Sequence, residues 1–197
     1  AVAVLVTGGA RSGKSRFAES YAARLASRGI YVATAQPLDD EMERRVRAHR
    51  EERRLSGFAW ETVEEPLDLV GLLDRLAAPG AQAGRTVVLV DCLTLWLSNH
   101  LLAVCPDGGA DRARVEREMD GRIEALAGAV RRFPLPLVLV TNEVGAGIVP
   151  ETALGRMFRD AAGRMNQRLA GVCDRLFLVV SGIPVDLKSI AFRMDEL

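Results

Sequence analysis

Short apolar runs alternate along this chain with longer segments in which apolar residues recur at helical spacing. The runs are rich in β-branched residues and are continuously apolar, which is typical of strands buried on both faces of a parallel sheet. We predict five such strands, at Val2–Val6, Ile30–Thr34, Val87–Val90, Leu137–Thr141 and Leu176–Val180.

Three segments between these strands carry a helical pattern. Ser15–Ala26 and Arg112–Val130 each place apolar residues on one face, whereas Asp39–Arg54 is mostly charged. The narrow apolar stripe of the charged segment consists of Met42, Val46 and His49. Because strands and helices alternate, the pattern predicts an α/β fold with a doubly wound, mostly parallel sheet.

The chain has the features of one domain. Its 197 residues can build one sizeable core but are short for two, and no internal repeat or long linker divides them. Prolines and glycines fall between the elements, as at Pro79 and Gly80 before the third predicted strand. We therefore predict a single domain over residues 1–188, followed by a C-terminal tail at 189–197.

Composition excludes several classes of protein. With 49% hydrophobic and 26% charged residues the chain is globular rather than disordered, and its net charge of zero gives no attraction to nucleic acid or an anionic membrane. Three widely spaced cysteines indicate neither a zinc site nor a disulfide framework. No run approaches the ~20 apolar residues of a membrane span, and the apolar start is too short for a signal peptide. We expect a soluble protein of the reducing cytoplasm.

A glycine-rich loop follows the first predicted strand and precedes the first helix. Its sequence, GGARSGKS, fits the phosphate-binding P-loop pattern G-x-x-x-x-G-K-[ST]. Lys14 would reach the β- and γ-phosphates of a nucleoside triphosphate, and Ser15 would bind Mg²⁺. A chance glycine-rich turn is the alternative, but only two of the 26 basic residues are lysines, and one stands where a compact ammonium fits between phosphates. The candidate contacts are Gly8, Gly9, Ala10, Arg11, Ser12, Gly13, Lys14 and Ser15.

The third predicted strand, Val87–Val90, ends in Asp91. An acidic residue at the end of an apolar strand is the Walker-B pattern of P-loop proteins, and its carboxylate can share a magnesium shell with Ser15. The alternative is that Asp91 caps the helix that follows. The P-loop upstream favours the metal role.

His49 lies in the charged helix with Arg45, Arg50 and Arg53 within one turn. A lone histidine on an apolar stripe is usually structural. A neutral imidazole can also attack phosphorus, with the guanidinium groups stabilising the charge that develops on the phosphate oxygens. The residues alone leave both interpretations open. His100, the only other histidine, follows an apolar segment and is expected to be packed.

Several segments together resemble the bifunctional adenosylcobinamide kinase / adenosylcobinamide-phosphate guanylyltransferase family of cobalamin biosynthesis. They span nearly the whole chain in the family's order, and TNEVGAGIVPE and DDEMERRVRAHREER are far more diagnostic than the P-loop. The segments are Thr7–Glu19, Tyr31–Arg53, Asp91–Asn99, Thr141–Glu151, Phe158–Ala170 and Val179–Pro184.

The resemblance implies a RecA-like P-loop NTPase fold and two reactions. The family phosphorylates adenosylcobinamide with ATP or GTP, then transfers GMP from GTP to that phosphate through a guanylylated histidine, giving adenosylcobinamide-GDP and pyrophosphate. His49 falls on the nucleophile position, and a homotrimer with its active site near subunit contacts is implied. Besides the P-loop, the implied nucleotide contacts are Thr34, Ala35, Gln36, Arg50, Glu51, Glu52, Arg53, Glu64 and Asp91.

Two other functions compete with this one. A plain P-loop small-molecule kinase would bind ATP and use His49 only structurally. A RecA-like ATPase motor or nucleic-acid-binding protein is disfavoured, because the chain has zero net charge and no strip of basic and aromatic residues. We therefore expect no nucleic acid among the partners.

Overall fold

The computed structural model describes residues 1–36, 40–78, 80, 85–106, 109 and 111–192. Within them one sheet contains seven strands, in the order β3-β2-β4-β5-β1-β6-β7. All neighbouring strands are parallel except β6 and β7, which pair antiparallel. The strands are β1 (Ala3–Thr7), β2 (Arg28–Ala33), β3 (Ala59–Glu64), β4 (Thr86–Asp91), β5 (Leu137–Val140), β6 (Arg175–Val180) and β7 (Ile183–Asp186).

Helices cover both faces of this sheet. Apolar positions of α1 pack on one face with one set of alternating strand residues, whereas α3 to α6 pack on the other face with the second set. The predicted α/β fold with a mostly parallel sheet is thereby confirmed. The helices are α1 (Lys14–Leu25), α2 (Asp40–Leu55), α3 (Leu69–Ala77), α4 (Leu93–Val104), α5 (Arg112–Arg132), α6 (Ala153–Val172) and α7 (Leu187–Ile190).

The five predicted strands are present, and the sequence pattern missed the two edge strands. β3 has an exposed, largely polar sequence, because an edge strand of this sheet is not covered on both faces. β7 is only four residues long and contains Pro184, which a sheet tolerates at its edge. The continuous apolar signal is therefore confined to the five inner strands.

The end of the chain differs slightly from the predicted boundary. α7 spans Leu187–Ile190, so the division placed at residue 188 falls within a short helix. Residues 193–197 of the predicted tail lie outside the described residues, as does Asp39 at the predicted start of α2. None of the helices among the described residues has the length and apolar character needed to cross a membrane.

The parallel register brings the carboxyl ends of β1, β2, β4 and β5 to one edge of the sheet. The loops that follow these strands therefore meet there, which is where α/β proteins commonly bind ligands. This edge carries the candidate site.

Candidate functional site

The P-loop connects β1 to α1 and depends on two of its glycines. Gly13 has φ 91° immediately before α1, in the left-handed region that favours glycine. A Cβ on Gly8 would lie 2.6 Å from the carbonyl oxygen of Val179 in β6, so only glycine fits between these strands. The Gly182 amide donates to the Ser12 carbonyl at 2.8 Å and ties the loop to the β6–β7 turn.

Lys14 is the first residue of α1 and is only 9% exposed. Its Nζ donates to the Gly9 carbonyl at 3.0 Å, which holds the ammonium over the loop. The loop, the left-handed Gly13 and the helix that follows form the strand–loop–helix arrangement that the motif requires. The geometry therefore favours a phosphate site over a chance glycine-rich turn.

A cleft of about 380 Å³ opens beside this loop and receives residues from five segments. We call it the P-loop cleft. Its polar lining combines cations that suit phosphate with oxygen atoms that suit a metal ion. Its polar and charged lining residues are Arg11, Lys14, Ser15, Tyr31, Arg50, Arg53, Asp91, Asn142 and Glu143.

Asp91 ends β4 and lines the P-loop cleft, where it accepts a hydrogen bond. The Tyr31 hydroxyl donates to Asp91 Oδ2 at 3.1 Å. Burial, and then the nearby Asp91 charge, raise the pKa of Tyr31 well above its usual range, so the phenol remains a donor at neutral pH. Cys92, not Asp91, is the N-cap residue of α4. The helix-cap alternative for Asp91 is therefore wrong.

The cleft supplies ligands suited to Mg²⁺ that is bound together with a nucleotide. Ser15 and Asp91 both line it, one with a hydroxyl and the other with a carboxylate. Mg²⁺ commonly keeps several waters and takes one or two protein oxygens plus phosphate oxygens. Among the described residues there is no cluster of three or more histidine, cysteine, aspartate or glutamate side chains that could hold a metal alone. The residues present fit a Mg²⁺–nucleotide complex.

Thr34 follows β2 and is fully buried. Its Oγ1 donates to the Cys92 carbonyl at 2.7 Å and accepts from the Cys92 amide at 2.9 Å, so the hydroxyl clamps the ends of β2 and β4 together. Of the three contacts predicted here, Ala35 lines the P-loop cleft and Gln36 is exposed. The buried Thr34 hydroxyl therefore stabilises the backbone at this edge of the sheet.

Replacing Thr34 with valine is expected to lower the free energy of unfolding by about 1–3 kcal/mol, because it leaves the buried Cys92 amide without its partner and removes one of the two donors to the Cys92 carbonyl. Urea denaturation measures the change. Thr62→Val, on the exposed edge strand β3, is the matched control and should change stability little. Equal losses in the two variants would contradict the clamp.

Helix α2 contributes arginines to the rim of the cleft. Arg53 is 4% exposed, and its guanidinium carbon lies 3.5 Å from the centroid of the Tyr31 ring. Arg50 lines the same cleft and forms an ion pair with Glu64 at the end of β3. The predicted contact Glu64 is therefore connected to the cleft by its ion pair with Arg50.

Of the other three predicted residues of α2, Glu51 has a described side chain. Glu51 is exposed and paired with Arg54. His49 and Glu52 belong to α2, but their side chains lie outside the described part of the structure. His49 precedes Arg53 by four positions in this helix.

Sequence reasoning missed three polar residues of the cleft. Tyr31 lies inside a predicted strand, and Asn142 and Glu143 follow β5. The Asn142 amide group donates to Thr94 Oγ1 at 2.7 Å, and the Glu143 backbone amide donates to the Gly8 carbonyl at 3.1 Å. The signal that could have found the latter two is their position after a parallel strand, at the same edge as the P-loop.

Comparison with known proteins adds a sequence family. The family model described as "Cobinamide kinase / cobinamide phosphate guanyltransferase" matches residues 4–187. "Bifunctional adenosylcobalamin biosynthesis protein CobU" of Salmonella typhimurium is 45% identical over 94% of this chain and 99% of its own length. The similarly named CobP of Pseudomonas aeruginosa is 44% identical over 93% of this chain and 96% of its own length.

Solved structures resemble the fold at low sequence identity. A structure from Pyrococcus horikoshii OT3 has a TM-score of 0.53 and 9% identity, covering 94% of this chain and 85% of its own. An ATPase from the type III secretion system of pathogenic bacteria has a TM-score of 0.53 and 10% identity, covering 100% of this chain and 60% of its own. These similarities support the fold alone, a mostly parallel sheet flanked by helices.

Proposed function

The chain belongs to the cobinamide kinase / cobinamide phosphate guanyltransferase family, and from this premise we propose that its P-loop cleft serves both reactions. It is a bifunctional transferase of adenosylcobalamin biosynthesis. It phosphorylates adenosylcobinamide with ATP or GTP, and it then joins GMP from GTP to the phosphate so formed. One observation carries the shared site: the P-loop lysine, Asp91 and two arginines of α2 line a single cleft.

The kinase reaction needs little more than positioning and charge. The P-loop amides and Lys14 bind the β- and γ-phosphates, and the hydroxyl of adenosylcobinamide attacks the γ-phosphorus as the nucleoside diphosphate leaves. Ser15 and Asp91 line the cleft and would hold Mg²⁺, which would supply positive charge to the phosphate oxygens as the bond to the leaving group breaks. No covalent intermediate on the protein is required for this step.

The GMP transfer uses a nucleophile from the protein. His49 attacks the α-phosphorus of GTP, a P–N bond forms, and pyrophosphate leaves. The phosphate of adenosylcobinamide phosphate then attacks the same phosphorus and releases the imidazole, giving adenosylcobinamide-GDP. An unperturbed imidazole has a pKa of ~6.5 and is largely neutral at cytoplasmic pH. Arg50 and Arg53, within one turn of His49, lie on the cleft wall and supply positive charge there.

Incubation with GTP labelled at the α-phosphate tests this function. The labelled protein is denatured and separated by electrophoresis, while adenosylcobinamide phosphorylation is measured in parallel. We expect a covalent label that is stable in base and labile in acid, as a P–N bond is. Phosphorylation without a label would leave a plain P-loop kinase. The absence of both activities would refute the assignment.

Asp91→Asn is expected to raise the magnesium concentration required by both reactions, because it removes the charge of one proposed metal ligand. Magnesium titrations of the kinase and the GMP-transfer rates measure the effect. Asp174→Asn replaces a carboxylate that accepts from the Ala3 amide at the other end of β1, and it serves as control. An unchanged titration for Asp91→Asn would exclude the metal role.

Large apolar side chains are exposed around β7. We propose a homotrimer working in the cytoplasm, with association through the apolar surface around β7. This part of the structure exposes large apolar side chains next to an open sheet edge, which suits a partner copy better than water. The residues are Val180, Ile183, Val185, Ile190 and Phe192.

A further inference from the structure

Tyr31 contacts two parts of the P-loop cleft that the two proposed reactions use differently. Its hydroxyl donates to Asp91, the proposed metal ligand, at 3.1 Å. Its ring lies 3.5 Å from the guanidinium carbon of Arg53, in the helix that carries His49. One side chain of β2 therefore contacts both the proposed metal ligand Asp91 and the helix that carries His49.

The Tyr31 ring lies directly against the Arg53 head group. Glu19 of α1 forms an ion pair with Arg53 in which Oε1 lies 3.9 Å from Nη1, beyond hydrogen-bond range. That Nη1 is buried and finds no hydrogen-bond partner in the described part of the chain. A desolvated guanidinium over an aromatic face is a favourable pair, and here it adds to the ion pair with Glu19.

Arg53 also stands out within α2. Of the α2 side chains that the structure describes, Arg53 is buried and the others are exposed. The contact with Tyr31 therefore joins this helix to the sheet at its last turn. His49 stands four positions earlier in the same helix, so the contact with Tyr31 anchors the backbone that carries the histidine.

The Tyr31 ring is itself held in place. Trp60 of β3 packs edge-on against it with ring centroids 6.0 Å apart, and Phe58 packs against Trp60 at 4.8 Å. Gly29 of β2 leaves the room for this, since a Cβ there would overlap the Trp60 ring. Because Trp60 packs against the Tyr31 ring, the ring has a fixed position from which it can orient both Asp91 and Arg53.

We propose that Tyr31 is a positioning residue for both reactions, with its hydroxyl orienting Asp91 for magnesium and its ring orienting Arg53 and α2 for GMP transfer. The inference rests on the proposed function of the cleft. It predicts that the two roles separate: the hydroxyl affects magnesium binding, whereas the ring affects the rate of GMP transfer relative to phosphorylation.

Binding measurements test the hydroxyl without using activity. Calorimetry gives the affinity for a non-hydrolysable GTP analogue, in excess Mg²⁺ and in EDTA. In Tyr31→Phe we expect the gain in affinity from Mg²⁺ to fall about tenfold, the effect of losing one hydrogen bond to a charged group, with the EDTA value unchanged. Tyr21→Phe removes a phenol from the neighbouring aromatic cluster and should leave both values as they are. An unchanged Mg²⁺ gain in Tyr31→Phe would overturn this half.

The ratio of histidine labelling to adenosylcobinamide phosphorylation tests the ring. Tyr31→Phe keeps the ring and should keep the wild-type ratio, whereas Tyr31→Leu should lower it about tenfold. Arg53→Met should lower it similarly and add little in the double variant, as expected for two side chains that act through one contact. Equal ratios in Tyr31→Phe and Tyr31→Leu, or fully additive losses, would overturn the ring's role.

Two controls separate this inference from other failures. Wild-type protein that takes up no α-label would refute the proposed GMP transfer before any variant is made. Thermal unfolding shows whether each variant is folded, and Tyr31→Phe, which keeps the packing against Trp60, provides a readable result even if Tyr31→Leu unfolds. Arg54→Met, next to Arg53 but exposed and paired with Glu51, should keep the wild-type ratio.

Discussion

Replacing His49 with alanine is expected to reduce labelling by α-labelled GTP to background and to stop GMP transfer, while phosphorylation of adenosylcobinamide remains measurable. The transfer requires a protein nucleophile, and the kinase reaction does not, because the substrate hydroxyl attacks phosphorus directly. The loss should therefore be complete in one reaction and small in the other. Electrophoresis of the denatured protein and a parallel phosphorylation assay measure the two activities.

Peptide mapping of the labelled wild-type protein identifies the modified residue. A P–N adduct can form on an imidazole or on a lysine amine, so the side-chain candidates are His49, His100, Lys14 and Lys188. His100 is buried, with Nε2 3.0 Å from the Leu67 carbonyl and its ring against Trp96, and neither contact is part of the P-loop cleft. We expect the label on the peptide that contains His49. A label that persists in His49→Ala would leave the plain kinase as the better interpretation.

Replacing Lys14 with alanine is expected to slow both reactions by on the order of 10²-fold or more. A preorganised charge on the transferring phosphates is typically worth this much, and both reactions begin with a bound triphosphate. The Lys14 ammonium is buried over the P-loop, where it donates to the Gly9 carbonyl at 3.0 Å. Steady-state rates of phosphorylation and of GMP transfer measure the effect.

Lys188, the only other lysine, provides the matched control. It lies in α7 and donates to the Cys173 carbonyl, at the end of α6. Lys188→Ala removes the same charge from the chain without touching the P-loop cleft, so both rates should stay near wild type. Near-normal rates in a folded Lys14→Ala variant would refute the P-loop assignment.

The parts of this site that sequence predicted are those that depend on local chemistry. The P-loop requires glycine, lysine and serine at fixed spacing, and Asp91 ends an apolar strand. Both signals lie within a few consecutive residues, and the structure places both in one cleft. The inner strands were predictable for a similar reason, since burial on both faces demands an unbroken apolar run.

Other features depend on contacts between distant segments. Tyr31 looks like any aromatic residue of a buried strand, and its pairing with Arg53 and Asp91 appears only when β2, α2 and β4 are brought together. Strand β3 carries no apolar run because it forms the sheet edge. The nucleotide contact of Thr34, implied by the family resemblance, stays a prediction, and the pairing of its buried hydroxyl with Cys92 is visible only in the structure.

The hydrogen bond between Gly182 and Ser12 links the phosphate loop to the turn before β7. Val180 and Ile183, on either side of that turn, belong to the apolar surface proposed to join subunits. If association orders this turn, it also orders the loop, and the two equilibria become thermodynamically linked. Nucleotide would then strengthen assembly by the same factor by which assembly strengthens nucleotide binding. Dilution would weaken nucleotide binding without any change to the residues of the cleft.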